Sequence, residues 1–313
     1  MAVLAAAVAV SSCDGGSGAS EKKLDTPTSG QITIAADESF MPIVKAEIDV
    51  FEATYPEAHF KSVYESEGEA FKHLLADSAR VIIVSRQLND NEKAQFKQQT
   101  ITPTTTKLAV DAVALIVNNA NPDSLLTVQQ IGEIMHGRYT SWKHVNAKSK
   151  DEKVVVVFDK SNSSNLSFMR KYYKLPEDLQ TNIFAANSNE EVVKYVSKTP
   201  NAIGVIGVNW ISDSEDPKHM SFRREVKTVA VADSTPPASQ YDYYQPFQAY
   251  ISNGSYPYCR NIYSISREAR MGLGNGFVAF AASDPGQRIV LKAGILPATA
   301  PIRVVNFNKN KSE

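Results

Sequence analysis

Cysteine is scarce in this sequence: the 313 residues include only Cys13 and Cys259. Neither lies in a C-x-x-C pair, and the five histidines lack the spacing of metal ligands. A G-x-S-x-G nucleophile motif, a P-loop and a dinucleotide-binding fingerprint are also absent. The sequence therefore predicts no structural metal and no cofactor. It argues against an enzyme, including one that acts on phosphate esters.

An excess of charge of either sign is missing as well. The 33 Lys and Arg residues nearly balance 34 Asp and Glu residues, and the basic ones are scattered. A nucleic-acid-binding domain normally carries a basic patch, so we expect no nucleic-acid partner. A hydrophobic content of 43% is typical of a globular protein with one large domain or two moderate ones.

Long hydrophobic runs are missing too. Residues 1–12 are apolar and small, but a membrane-spanning helix needs about 20 such residues. The run is typical of the apolar part of a signal peptide, although its basic start is missing. The segment before Cys13 resembles a bacterial lipoprotein cleavage box. We predict a lipoprotein signal peptide over 1–13, with Cys13 lipidated, and a flexible Gly/Ser/Thr-rich tether over 14–30. The alternative is an ordinary signal peptide with an incidental cysteine.

Strand and helix patterns alternate after this segment. Residues 31–35 and 58–64 are predicted strands, and Val44, Ile48 and Phe51 recur at helical spacing between them. A helix over 69–76 precedes the continuous apolar strand 81–84, which is typical of a parallel strand buried on both faces. This alternation predicts a doubly wound α/β unit.

The later part of the chain continues the pattern. Further predicted elements are an apolar stretch over 107–118, a helix over 127–136, strands over 154–158 and 203–207, and helices over 275–282 and 284–292. The two glycines of strand 203–207 predict close packing against a backbone neighbour. Asp284 is the expected N-cap of the last helix, with Pro285 as its first residue.

Three predicted strand-to-helix turns carry hydroxyl-bearing residues. They contain Ser39, the segment Ser66-Glu67-Gly68, and the segment Ser161-Asn162-Ser163-Ser164-Asn165. In open α/β sheets, ligands bind beyond the carboxyl ends of strands, where helix N-termini favour anions. The turns therefore indicate a small-anion site. The alternative is that each residue is only an N-cap, a position that Ser and Asn favour in any protein.

The order and spacing of several motifs resemble those of the phosphate-binding proteins of bacterial ABC transporters. The similarity runs over nearly all of residues 31–298. The motifs are Ser39-Phe40-x-Pro42, Glu65-Ser66-Glu67-Gly68, Val84-Ser85-Arg86-Gln87-Leu88, Asn121-Pro122, Ser163-Ser164-Asn165, Tyr256-Pro257 with Arg260, and Gly286-Gln287.

The resemblance implies a type II periplasmic binding protein, in which two doubly wound α/β lobes are joined by two crossover segments around a ligand cleft. One lobe would combine residues 31–110 with 252–306, and the other would span 111–251. The phosphate ligands that it implies are Ser39, Phe40, Ser66, Glu67, Gly68, Ser85, Arg86, Asp159, Ser161, Ser163, Ser164 and Asn165.

Two positions depart from the family pattern. The best-known family members have a carboxylate after the serine that follows the third strand, where this chain, like some other members, has Arg86. They also have an arginine four residues before the Ser-Gly-Thr turn, where this chain has Asp159. We hypothesise that Arg86 clamps the oxyanion and that Asp159 accepts a ligand proton or orients Arg86. The alternative is that Asp159 points away from the ligand and caps the following turn, or pairs with Lys160.

The resemblance also implies a function without covalent chemistry. We expect a monomeric, lipid-anchored, periplasmic or cell-surface protein of a bacterium that captures phosphate for an ABC transporter permease. Two alternatives stay open: binding of another oxyanion (molybdate, sulfate or an organic anion), and a surface lipoprotein with a role in adhesion or signalling.

Overall fold

The computed structural model describes residues 24–178, 182–213, 215–233, 237, 239 and 242–299. The predicted signal peptide, Cys13 and most of the predicted tether lie outside these ranges. The end of the tether, which is described, differs from the prediction. Asp25 packs on the fold, because its carboxylate accepts a hydrogen bond from the Leu273 N–H at 2.8 Å and pairs with Arg270.

The described residues form strands and helices in alternation. The strands are β1 Gly30–Asp37, β2 Ala58–Glu65, β3 Val81–Val84, β4 Thr104–Asn118, β5 Leu125–Thr127, β6 Val155–Phe158, β7 Ile183–Ala185, β8 Ala202–Gly207, β9 Val226–Thr228, β10 Ala230–Ala232, β11 Cys259–Ser266 and β12 Leu296–Pro297. The helices are α1 Met41–Thr54, α2 Glu67–Leu75, α3 Asp90–Gln98, α4 Val128–Met135, α5 Trp142–Val145, α6 Ser164–Tyr173, α7 Asn189–Lys198, α8 Pro217–Glu225, α9 Gln248–Ser252, α10 Leu273–Ala282 and α11 Asp284–Lys292. Short 3-10 turns span Glu38–Phe40 and Val208–Trp210.

One large mixed sheet organises the fold. Its strand order is β2-β1-β3-β11-β4-β8-β6-β7, and β9 and β12 also pair with β4. β1 is parallel to β2 and β3, and β6 is parallel to β7 and β8. The 15-residue strand β4 is antiparallel to β11 at one end and to β8 at the other. Two parallel α/β halves are therefore joined through β4, and β5 pairs separately with β10.

The predicted elements agree with this architecture, with shifts at several boundaries. All four residues of β3 are buried, as the apolar run indicates. α2 begins at Glu67, so Glu67 and Gly68 lie in its first turn and Ser66 is its N-cap. The predicted N-cap of α11 is wrong. Asp284 is already helical, and the extended residue before it, Ser283, takes the cap position.

Close packing at β8 has two forms. A Cβ placed on Gly207 would lie 3.0 Å from the backbone oxygen of Ser39, so the predicted approach of a backbone neighbour is found there. A Cβ on Gly204 would instead lie 2.7 Å from a side-chain carbon of Val192. Gly207 thus lets the end of β8 approach the turn after β1, which lies in the other half of the sheet.

Candidate functional site

The carboxyl ends of β1 and β6 meet between the two halves of the sheet. Asp37 ends β1 and is followed by the 3-10 turn that contains Ser39, whereas Asp159 follows β6 and Ser164 begins α6. The hydroxyl oxygens of Ser39 and Ser164 lie 3.3 Å apart, although the residues are 125 positions apart in sequence. Both serines are fully buried. The first and third predicted turns thus contribute to one site.

Arg260 supplies a buried positive charge to this site. Its Nη1 donates to the Ser164 hydroxyl at 2.9 Å, and its Nε and Nη2 donate to Oδ2 of Asp111 at 3.0 and 2.9 Å. The guanidinium lies over the ring of Phe40, 4.7 Å from its centroid. Arg260 and Asp111 are opposite each other in the β11–β4 ladder, which explains why they meet. Burial raises the pKa of Asp111, and the Arg260 charge opposes that rise.

The site assignment based on sequence did not include Arg260. Two signals were present: its place after Tyr256-Pro257 in the family pattern, and the single charge of Asp111 in an otherwise apolar run. A buried carboxylate normally needs a partner. Arg260 could be recognised as that partner only if the pairing of β11 with β4 were known. The sequence pattern alone does not show this pairing.

Asp159 lies at the centre of a hydrogen-bond cluster. Its Oδ1 accepts from the Ser163 hydroxyl at 2.5 Å, and its Oδ2 accepts from the Ser39 hydroxyl at 3.3 Å. The side-chain amides of Asn165 and Asn189 each donate to the same Oδ2 at 3.2 Å. Burial, and then the nearby negative charge of Asp37, raise the pKa of Asp159 to about 6. Asp159 is therefore an acceptor that can also hold a proton near neutral pH.

Glu38 makes a second contact between the halves. Its carboxylate accepts from the Asn189 side-chain amide at 2.5 Å and from the Asn189 backbone N–H at 3.2 Å. Asn189 is the first residue of α7, so the carboxylate lies at a helix N-terminus, which favours negative charge. Burial nevertheless raises the pKa of Glu38 to about 7, and the charge of Asp159 adds to this effect. Asn189 was not among the site residues predicted from the sequence.

Arg86 does not meet Asp159, so the predicted orientation of Arg86 by Asp159 is wrong. Arg86 instead donates to both carboxylate oxygens of Glu92 at 2.8 Å. Its guanidinium carbon lies 3.6 Å from the centroid of the Phe71 ring. Glu92 belongs to the capping box of α3, which holds its side chain in place. Its carboxylate thus lies next to Arg86, which is six residues earlier in the sequence. Glu92 therefore holds the two Nη atoms of the guanidinium, and Nε lies 3.7 Å from a carboxylate oxygen of Glu67. Asp159 accepts a hydrogen bond from Ser163, the N-cap of α6, as the alternative role implies, but it also accepts from Ser39 of the other half and so faces the site.

The remaining predicted residues occupy three environments. Ser85 donates its N–H and hydroxyl to Glu67 at 2.5 and 2.6 Å, so this carboxylate already occupies the donors after β3. The Ser66 hydroxyl is buried and has no hydrogen-bond partner among the described residues, and Gly68 lies beside it in α2. Ser161 is exposed.

A cleft of about 480 Å³ adjoins Arg260. Glu67, Ser85 and Arg86 border it on the side of the first half. Residues from α6 and β11 also line it, namely Ser167, Phe168, Lys171, Tyr172, Cys259 and Asn261. Aromatic rings and cationic side chains thus face one opening next to the buried serine cluster.

The chain is similar to known proteins over most of its length. A family model described as a PBP superfamily domain matches residues 22–285. The chain therefore belongs to the PBP superfamily, the periplasmic-binding-protein group that the motifs resemble. The phosphate-binding protein PstS of Staphylococcus epidermidis is 25% identical over 293 residues, 91% of this chain and 84% of that protein. PstS of Staphylococcus aureus is 25% identical over 278 residues, 88% of this chain and 79% of that protein.

Solved structures have the same fold. A substrate-binding protein with bound phosphate from Clostridium perfringens has a TM-score of 0.72 and 23% identity, and covers 86% of this chain and 99% of that one. An ABC-type phosphate transport receptor from Vibrio cholerae has a TM-score of 0.63 and 22% identity, and covers 86% of this chain and 100% of that one. The fold is that of a type II periplasmic binding protein, as predicted.

Within the described residues, every helix is too short or too polar to span a bilayer. The same residues contain no group of three or more His, Cys, Asp or Glu side chains placed to hold a metal ion.

Proposed function

We propose that this protein is an extracytoplasmic solute-binding protein that captures inorganic phosphate between its two lobes for an ABC transporter. The observation that carries the proposal is the meeting of Ser39, Ser164 and Arg260 between the halves of the sheet. Two hydroxyls, a guanidinium and the N-terminus of α6 together provide the donors that an oxyanion needs. The phosphate-binding names of the relatives support the same ligand.

Asp159 supports selection of phosphate over sulfate. A carboxylate in the site can accept a hydrogen bond from a protonated oxyanion, whereas fully ionised sulfate offers no proton. The raised pKa of about 6 does not remove this role, because a substantial ionised fraction remains at neutral pH. Phosphate in its protonated forms is therefore the oxyanion that matches both the donors and the acceptor.

Delivery of the captured ligand depends on a change from an open to a closed form. The two lobes close on the ligand, and the transporter permease recognises the closed, liganded form. The protein acts as a monomer, contributes no covalent chemistry and is anchored to a bacterial membrane by lipid on Cys13. The predicted lobes, 31–110 with 252–306 and 111–251, are the bodies that move relative to each other.

A second candidate ligand is a phosphorylated organic anion. The cleft next to Arg260 is lined by Phe168 and Tyr172 together with the cationic Arg86 and Lys171. Its volume of about 480 Å³ falls within the roughly 300–1,000 Å³ typical of small-molecule sites. A phosphate group at Arg260 with an apolar substituent in this cleft would use both regions.

Calorimetric titration of the purified protein, unfolded and refolded to remove bound ligand, tests these candidates. The titrants are phosphate, sulfate, molybdate and phenyl phosphate. Ser39→Ala and Ser164→Ala should each weaken phosphate binding by about 10- to 100-fold, because each removes a hydrogen bond to a charged ligand. Ser221→Ala is the matched control, since the side chain of this exposed serine bonds, within the described part of the chain, only to Glu225 on the same helix.

The outcomes separate the candidates. Phosphate binding that falls in both site variants and stays unchanged in the control supports phosphate capture. Tighter binding of phenyl phosphate than of phosphate supports the organic ligand. Binding of molybdate or sulfate alone indicates another oxyanion, and no response to any titrant contradicts the proposed function.

A further inference from the structure

The carboxylate of Asp37 connects the two halves at the candidate site, beside those of Asp159 and Glu38. Asp37 is the last residue of β1 and is fully buried. Its Oδ1 accepts from the Ser39 N–H at 2.9 Å and from the Ser164 hydroxyl at 2.8 Å. Its Oδ2 accepts from the Ser164 N–H at 3.2 Å. Donors from both halves thus converge on one negatively charged group of the protein itself.

These are the same donors that a bound oxyanion would use. The Ser164 N–H is at the first position of α6, a ten-residue helix whose N-terminus favours anions. Arg260 is bonded to the same Ser164 hydroxyl. We propose that Asp37 acts as a built-in substitute for the ligand: it holds the two halves together without ligand and competes with an incoming oxyanion. Asp37 thereby sets the affinity of the site.

An incoming oxyanion must displace the Asp37 carboxylate, because the site already contains several negative charges. Asp37 raises the pKa values of Asp159 and Glu67 after the larger effect of burial, so the three carboxyl groups lie close enough to repel one another. Asp111 partly neutralises Arg260 by pairing with it. An oxyanion that entered with Asp37 still in place would meet uncompensated like charge. The ligand must therefore take over the donors of Ser39 and Ser164 while Asp37 moves away.

The competition for ligand rests on the proposed function, whereas the contact between the halves does not. Two variants test both. Asp37→Asn keeps a side-chain acceptor for the Ser39 N–H but removes the charge. Asp37→Ser keeps an N-cap hydroxyl for the same turn but is too short to bridge to Ser164. Asp49→Asn is the matched control, because among the described residues this exposed aspartate pairs only with Lys45 on α1.

Small-angle X-ray scattering without ligand measures the contact between the halves. Wild type and Asp49→Asn should be compact, Asp37→Ser should have a larger radius of gyration, and Asp37→Asn, which keeps an amide oxygen within reach of Ser164, should expand less. Calorimetry then measures competition: phosphate should bind the Asp37 variants about 10- to 100-fold more tightly than wild type, because one repelling charge is gone. Added phosphate should restore the compact form.

Each result decides the proposal. Equal scattering of wild type and both folded Asp37 variants overturns the bridging role, and equal or weaker phosphate binding by the variants overturns the competition. If neither wild type nor the variants bind phosphate, the proposed function fails. Expansion of the variants would in that case still support Asp37 as the bridge between the halves.

Discussion

Replacing Glu47 with methionine should remove a large pH dependence from the stability of this fold. Glu47 lies on α1 with 4% of its surface exposed, and neither of its carboxyl oxygens has a hydrogen-bond partner among the described residues. Its surroundings are apolar and include Ile83, Leu108 and Phe277. Burial raises the pKa of Glu47 from 4.5 to about 9. The carboxyl group is thus neutral in the native state at neutral pH.

The sign of the effect follows from proton binding. Between the two pKa values the native state keeps the proton and the unfolded state releases it, so the free energy of unfolding falls as pH rises. The slope is about 1.4 kcal/mol per pH unit. A rise from 4.5 to about 9 corresponds to a total of about 6 kcal/mol, present below pH 4.5 and lost by pH 9.

Urea unfolding at several pH values between 5 and 8 measures this contribution. The difference in unfolding free energy between Glu47→Met and wild type should grow by about 4 kcal/mol across that range, in favour of the variant. Other titrating groups cancel in the difference. Glu47→Gln is the control, because it keeps the shape and polarity but cannot ionise, and it should show the same pH trend. A difference that stays constant with pH would refute the reasoning, since it would mean that the native carboxyl is already ionised.

Glu38 and Arg86, two charged residues at the site, should differ in their effects on stability and binding. Burial raises the pKa of Glu38 to about 7, so its contribution to stability is complete below pH 4.5 and is lost as pH rises through 7. Glu38→Gln should therefore reduce the fall in unfolding free energy between pH 5 and 7, by about 3 kcal/mol at most, and urea unfolding that shows the wild-type fall would contradict this. Arg86→Ala should change phosphate affinity by less than about threefold while it destabilises the fold by about 1 kcal/mol, because Arg86 is bonded to Glu92. Calorimetry and urea unfolding check both numbers, and a loss of binding of about 100-fold would restore Arg86 as the ligand clamp.

The local sequence pattern was sufficient to predict much of the fold. The helical spacing of Val44, Ile48 and Phe51 and the apolar run at 81–84 placed α1 and β3, because side-chain periodicity reports which face is buried. The turn residues Ser39 and Ser163–Asn165 followed from the same alternation, since helices begin where strands end. Helix boundaries shifted by a few residues, as at α2, where propensity does not separate an N-cap from a turn.

Contacts between distant segments decided the rest of the site. Arg260 reaches Asp111 across 149 positions only because β11 pairs with β4, and Asn189 reaches Glu38 across 151 positions. The predicted pairing of Arg86 with Asp159 overlooked Glu92, a partner that is much closer to Arg86 in the sequence.

The sequence by itself determined the α/β alternation, the family and the hydroxyl-rich turns, because these depend on residue type and spacing. Only the tertiary structure decided which charge serves the site and which carboxylates are raised in pKa. Both depend on burial and on strand pairing, which bring residues of remote segments into a common low-dielectric environment.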